Sequence, residues 1–219
     1  PLSLGDVSDD KQAPAITAAA VELPPHRHSQ DEVVAALADF AGPDFLRFAA
    51  TSGVESRQLA LPLERYRTLS GFTEANAAYL DVAMDLGERA ISSALASAGL
   101  QPSDVDIVVS TTATGLAVPT LDARLAAQLG MRQDVKRVPL FGLGCVAGAA
   151  GVARMNDYLR AYPDQVAVLL AVELCSLTIQ RDDLSMANLV ASSLFGDGAA
   201  AVVAVGAARV RDRGRRTRR

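Results

Sequence analysis

Aromatic residues make up only 5% of this 219-residue chain, and tryptophan is absent. Alanine, valine and leucine dominate instead, a composition that suits helices packed on a buried parallel sheet. Cysteine is nearly as scarce. Cys145 and Cys175 are too few for a disulfide framework and lack metal-ligand spacing. No apolar run reaches the length of a membrane span, because polar residues interrupt each candidate. The opening residues, PLSLGDVSDDKQ, show no basic segment leading into an apolar one, so a cytoplasmic location is the default expectation. Half the residues are hydrophobic and the formal net charge is -4, as in a soluble protein able to bury a core. The exception in charge is the ending, Arg209 to Arg219, which reads RVRDRGRRTRR. Without aromatic or periodic company it reads as a solvated, disordered tail rather than a nucleic-acid contact.

What is present alternates strands with helices. Ala15 to Leu23 reads as a first strand closed by Pro24-Pro25, and His26 and His28 fall in the solvated loop after it. Ser29 to Ala41 is helical, with Ser29 as N-cap, Glu32 three residues on, and Gly42-Pro43 as its stop. A second short helix and an irregular stretch fill 44–62. Thr73 opens the clearest helix, with Ala77, Leu80, Met84, Ala90, Ile91, Ala94 and Leu95 at three- and four-residue spacing before Gly99. Strands follow at Val105 to Thr111, Lys136 to Phe141, Gln165 to Leu174 and Ala199 to Val205, separated by helices. This order predicts an α/β layered domain over 15–206 with a largely parallel sheet, between an extended or disordered 1–14 and a disordered 207–219.

Phe141-Gly-Leu-Gly-Cys-Val-Ala-Gly-Ala-Ala-Gly151 sets a cysteine where a strand meets a helix. Unpaired N–H groups and a partial positive charge at a helix N-terminus stabilise a thiolate, which raises its nucleophilic fraction. Gly142 and Gly144 permit a sharp turn beneath it, and the small residues 148–151 let the helix press on a neighbour or leave room for an acyl chain. Local chemistry leaves a reactive and a buried structural cysteine equally open. Phosphate binding is disfavoured, since no Lys-Ser/Thr pair follows the glycines.

Four separated segments, in order, resemble the type III polyketide synthases of the chalcone synthase-like family. They are Ser110-Thr-Thr-Ala-Thr-Gly-Leu-Ala-Val-Pro119, Val135-Lys-Arg-Val138, Gly144-Cys-Val-Ala-Gly148 and Leu194-Phe-Gly-Asp-Gly-Ala-Ala200. The resemblance implies a thiolase-like fold, of which this chain would be the N-terminal βαβαβαββ layered half. It implies an acyltransferase that loads an acyl group from coenzyme A onto Cys145 and extends it with malonyl-CoA by decarboxylative condensation. Phe195 would gate the cavity and assist decarboxylation, while Thr114, Cys175 and Thr178 would line it. Val118 would reach the partner subunit's cavity in a homodimer, and Arg47 would meet the coenzyme A phosphates. Asp197, between two glycines, is expected to shape a turn. No tightly bound cofactor, nucleic acid or membrane is implied; acyl-CoA and malonyl-CoA are the substrates, and an alkylpyrone or alkylresorcinol-type product is the expectation.

The condensation also needs a base and donors that stabilise an enolate. The family draws its histidine and asparagine for this from its C-terminal half, and neither His26, His28, Asn156 nor Asn188 matches them. The chain is therefore expected to be inactive in the full condensation on its own. A ketoacyl-ACP synthase III-like condensing enzyme, and a non-catalytic truncated subunit, stand as alternatives.

Overall fold

The computed structural model describes residues 13–210, the side chains of 38–43 excepted, so 1–12 and most of the arginine-rich ending lie outside the described residues. In chain order the elements are β1 (Ala15–Glu22), β2 (His26–Ser29), α1 (Gln30–Thr51), β3 (Ser56–Leu59), α2 (Leu63–Thr68), α3 (Gly71–Ala98), β4 (Ile107–Thr111), α4 (Leu121–Gln128), β5 (Lys136–Leu140), α5 (Ala147–Ala161), β6 (Val166–Leu174), α6 (Met186–Leu194) and β7 (Asp197–Val205). Five strands form one sheet in the order β1-β7-β6-β4-β5, and β2 pairs with β3 in a second.

β6, VAVLLAVEL, is apolar from Val166 to Val172 because both of its faces are covered. Val166, Val168, Leu170, Val172 and Leu174 join the large core beneath α3. Ala167 and Leu169 point the other way, against Met155 and Leu159 of α5. The strand period of two thus divides one apolar segment between two helical layers. α3 supplies the larger layer with a stripe running from Tyr79 through Ala83, Leu86, Ala90, Ile91, Ala94 and Leu95 to Ala98. It starts at Gly71 rather than Thr73, and Ala77 is exposed, so the core face begins at Tyr79.

The sheet is mixed rather than largely parallel. β4 runs parallel to β5 and β6, but β7 is antiparallel to β6 and β1. The α6 connection returns the chain to the end of β6 that it left, so that Leu174 pairs with Asp197 at the start of β7. A helix between two strands looks the same in sequence whether or not it crosses the sheet.

Two further expectations fail for related reasons. α1 does not stop at Gly42-Pro43 but continues to Thr51. Val33, Leu37, Phe45 and Ala49 all fall on one four-residue register and are buried. Burying such a stripe, at roughly 1.5–3 kcal/mol per large side chain, outweighs the cost of about 3 kcal/mol for a proline inside a helix. The start of α1 is as expected: the Ser29 hydroxyl accepts from the Glu32 N–H at 3.2 Å, and the Glu32 carboxylate accepts from the Ser29 N–H at 2.8 Å. His26 and His28 lie not in a loop but in β2, whose antiparallel partner is some thirty residues on, His28 facing Arg57. The strand HRHS has no apolar alternation to reveal it. His28 is half-buried, and its Nδ1 lies 4.0 Å from Glu32.

At the other end, residues 207–210 form a helical turn. Arg209 donates to the Asp164 carbonyl at 2.8 Å, and Ala207 is buried.

Candidate active site

β5 ends at Leu140, and the chain turns through Gly142 and Gly144, at φ 80° and 56°. Both lie in the left-handed region, which an L side chain would strain. Cys145 follows in a 3-10 turn, Gly144–Val146, one step ahead of α5 instead of inside it. Its thiol is exposed at the entry to the helix. α5 is held close to the sheet by a small residue. A β-carbon at Gly151 would sit 2.5 Å from Leu169, whereas one at Gly148 would meet nothing within 4 Å. Of the two roles expected for the small residues, Gly151 takes close packing and Gly148 takes open space.

Cys175 lies in the turn Cys175–Thr178 after β6 and is half-buried. Burial pushes its thiol up to about 11, and the charges of Asp197, Glu173 and Cys145 add to the shift. From its ordinary value of 9.0, that shift cuts the thiolate fraction of Cys175 by about 100-fold at neutral pH. Iodoacetamide at pH 8 should therefore alkylate Cys145 first and Cys175 at least about tenfold more slowly, as read by peptide mass mapping. Equal rates would contradict this.

Thr114 and Thr178 line one cleft of about 740 Å³, between the start of α3, the loop after β4 and the turn after β6. A smaller cavity of about 250 Å³ lies behind the same loop and shares Gly115, Leu116 and Phe141 with the cleft. Cys145, Cys175 and Phe195 line neither; Phe141, four residues before Cys145, lines both. Val118 is 92% exposed at the tip of the loop, before a cis bond to Pro119. Arg47 lies on α1, pairs with Asp44 at 3.2 Å and stacks over the Phe48 ring. It lines neither cavity.

The loop that divides the cavities is held by residues that sequence reasoning did not single out. The Asn76 amide donates to the Leu116 carbonyl at 3.0 Å and accepts from the Leu116 N–H at 2.8 Å. The Glu173 carboxylate accepts from the Ala113 N–H, and the Tyr79 hydroxyl donates to Thr112 at 2.8 Å. Thr114 itself accepts from the Leu174 N–H at 2.8 Å. Asn76, Glu173 and Thr114 hold backbone groups and Tyr79 a side-chain hydroxyl, roles that no motif announces.

Asp197 does not shape a turn. It begins β7, is buried, and accepts from the Ala60 N–H at 2.6 Å, the Ser176 N–H at 2.8 Å and the Ser176 hydroxyl. The Tyr66 hydroxyl lies 2.6 Å from Ser176 Oγ and accepts from the Leu61 N–H. Burial raises the Asp197 carboxyl above its ordinary value, against the opposing effect of these hydrogen bonds and of Arg57. Phe195 stands two residues earlier, at the end of α6; it is 45% exposed, and its carbonyl accepts from Arg57. Among the described residues no cluster of three His, Cys, Asp or Glu could hold a metal ion, and no helix is long and apolar enough to cross a membrane.

The segment that carries this exposed cysteine and the cleft matches a known domain. Residues 65–209 match the family described as chalcone and stilbene synthases, N-terminal domain. The chain belongs to the type III polyketide synthase family. It is 54% identical over 208 residues to 1,3,6,8-tetrahydroxynaphthalene synthase of Streptomyces peucetius subsp. caesius, covering 92% of this chain and 54% of that protein. It is 36% identical to a putative chalcone synthase of Bacillus subtilis (strain 168), over 70% of this chain and 43% of that one. Among solved structures, 1,3,6,8-tetrahydroxynaphthalene synthase of Streptomyces coelicolor A3(2), a bacterial type III polyketide synthase, superposes with a TM-score of 0.82 at 31% identity. That match covers 88% of this chain and 56% of the other. The expected α/β, thiolase-like half is thus the fold observed, and the chain spans about half the length of the relatives it matches. In this type III polyketide synthase domain, the family match takes in every site residue named from sequence except Arg47, which precedes residue 65.

Proposed function

We propose that this chain carries the acyl-accepting part of a polyketide condensing site, with Cys145 as the nucleophile. The observation that carries the reading is the exposed thiol on its glycine turn at the mouth of α5, within the family domain. The Cys145 thiolate attacks the carbonyl of an acyl-CoA. A carbon–sulfur bond forms to Cys145, the bond to coenzyme A breaks, and the departing thiolate takes up a proton. Extension then requires malonyl-CoA to lose CO₂, its enolate to attack the acyl carbonyl, and Cys145 to leave. Phe195 would gate the cavity and assist decarboxylation, with Thr114, Thr178 and Cys175 around the growing chain, Val118 directed at a partner subunit in a homodimer, and Arg47 near the coenzyme A phosphates.

Within these residues both histidines lie on β2 and neither bonds to Cys145, so extension draws on a base and enolate donors from outside them. The test is liquid chromatography with mass detection after incubation with an acyl-CoA and malonyl-CoA. The expected result is acylated protein without released polyketide; a released alkylpyrone, alkylresorcinol or other polyketide overturns the division of labour.

Product class admits two readings. The reading from sequence gives an alkylpyrone or alkylresorcinol type, whereas the 54% identity to a tetrahydroxynaphthalene synthase favours a polyhydroxylated aromatic. A fatty-acid condensing enzyme instead would take its acyl group from a carrier protein. Faster acylation from carrier-protein thioesters than from acyl-CoA would select that alternative, and no adduct from either would select a non-catalytic subunit.

A further inference from the structure

Arg57, on β3, is 4% exposed. Its Nη1 donates to the Ser192 carbonyl at 2.7 Å and to the Phe195 carbonyl at 3.1 Å, both at the C-terminal end of α6. A cation there complements the helix dipole. On the far side of Gly196, Asp197 holds the N–H groups of Ala60 and Ser176. The segment Phe195-Gly196-Asp197 is thereby tied at both ends to the β3 region. Gly196 sits against that strand as well, since a β-carbon there would meet the Gln58 carbonyl oxygen at 3.2 Å.

Stability alone is a weak explanation for this arrangement. Taking a guanidinium out of water costs several kcal/mol, and a well-packed apolar residue often serves a core as well or better. Arg57 recovers the cost only in part: Nε and Nη2 are buried without a hydrogen-bond partner among the described residues. What it supplies is one buried nitrogen that reaches two carbonyls, the last turn of α6 and the residue after it, from a neighbouring strand.

We propose that Arg57 is the positioning residue for Phe195. It fixes the backbone from which the ring projects, and through the shared segment ending in Asp197 it sets that ring in register with the turn bearing Cys175 and Ser176. The role of the ring rests on the function proposed above, but the positioning itself does not.

Because the chain has no tryptophan, Phe195→Trp makes a single fluorescent reporter at the ring's own position. In the Arg57 background the expected signal is high anisotropy and limited quenching by acrylamide. Adding Arg57→Met should lower the anisotropy, red-shift the emission and raise quenching, while far-UV circular dichroism and a cooperative melt show the protein folded. Arg57→Lys, which keeps a charged donor, should recover part of the signal. A folded Arg57→Met chain with an unchanged tryptophan signal overturns the proposal, as does Arg57→Lys showing no recovery. Should Arg57→Met not fold, Arg57→Gln, with a neutral donor, replaces it under the same criteria. Absence of acylation at Cys145 in the unsubstituted chain would overturn the proposed function and leave this fluorescence result standing.

Discussion

Incubated with an acyl-CoA, the chain should gain the mass of one acyl group, and Cys145→Ala should gain none. Thioester exchange replaces one carbon–sulfur bond by another, so no oxidant or energy source is needed and the reaction turns on thiol access and ionisation. Cys145 has the access: it is exposed at the entry of α5. Cys175→Ala should keep the adduct, because the raised pKa of that thiol leaves it mostly protonated at neutral pH. Intact-mass spectrometry with peptide mapping checks all three chains. An adduct that survives Cys145→Ala, or that maps to Cys175, removes Cys145 from its role.

Asp197→Ala should cost about 3–5 kcal/mol, a large share of the roughly 5–15 kcal/mol that stabilises a typical domain. The loss follows from what the carboxylate holds. The N–H groups of Ala60 and Ser176 lose their acceptor inside the core, each at about 1–3 kcal/mol, and Arg57 keeps its charge without the opposing one. Urea midpoints measure this, with Asp134→Ala as an exposed comparison that should move little.

The pH dependence provides a second check. The folded Asp197 carboxyl has a raised pKa, so just above its ordinary value of 3.8 the native state keeps a proton that the unfolded chain releases. Stability contributed by Asp197 is therefore fullest below 3.8 and falls as pH rises through the folded pKa. Glu32 and Asp134, whose pKa values are lowered by hydrogen bonds to Ser29 and Arg132, contribute in the opposite direction. Subtracting the Asp197→Ala curve from that of the unsubstituted chain isolates the falling limb. A difference that grows steadily with pH would contradict the assignment.

Local pattern was enough wherever one short segment carried the whole signal. The apolar runs at 105–111 and 165–174 became β4 and β6, the 3.6-residue spacing became α3, and the Ser29–Glu32 pair became the start of α1. The turn that bears Cys145 was legible for the same reason, since its glycines and helix are contiguous. The polar strands β2 and β3 were not, because four residues without alternation become a strand only when a partner lies beside them. Nor were the side chains that hold distant backbone: Asn76 acts 40 residues away on Leu116, and Arg57 acts 138 residues away on Phe195.

By itself, then, the sequence determined the layered α/β class, the family and the strand–turn–helix setting of Cys145, because these are written in periodicity and in short contiguous motifs. Tertiary structure alone decided that the sheet is mixed, that α1 runs through Pro43, and that Asp197 is a buried acceptor instead of a turn. It also decided that Thr114 and Thr178 share a cleft that Cys145 does not line. Each of these depends on which distant backbone groups must be buried and satisfied together, and that requirement appears only when the elements are packed.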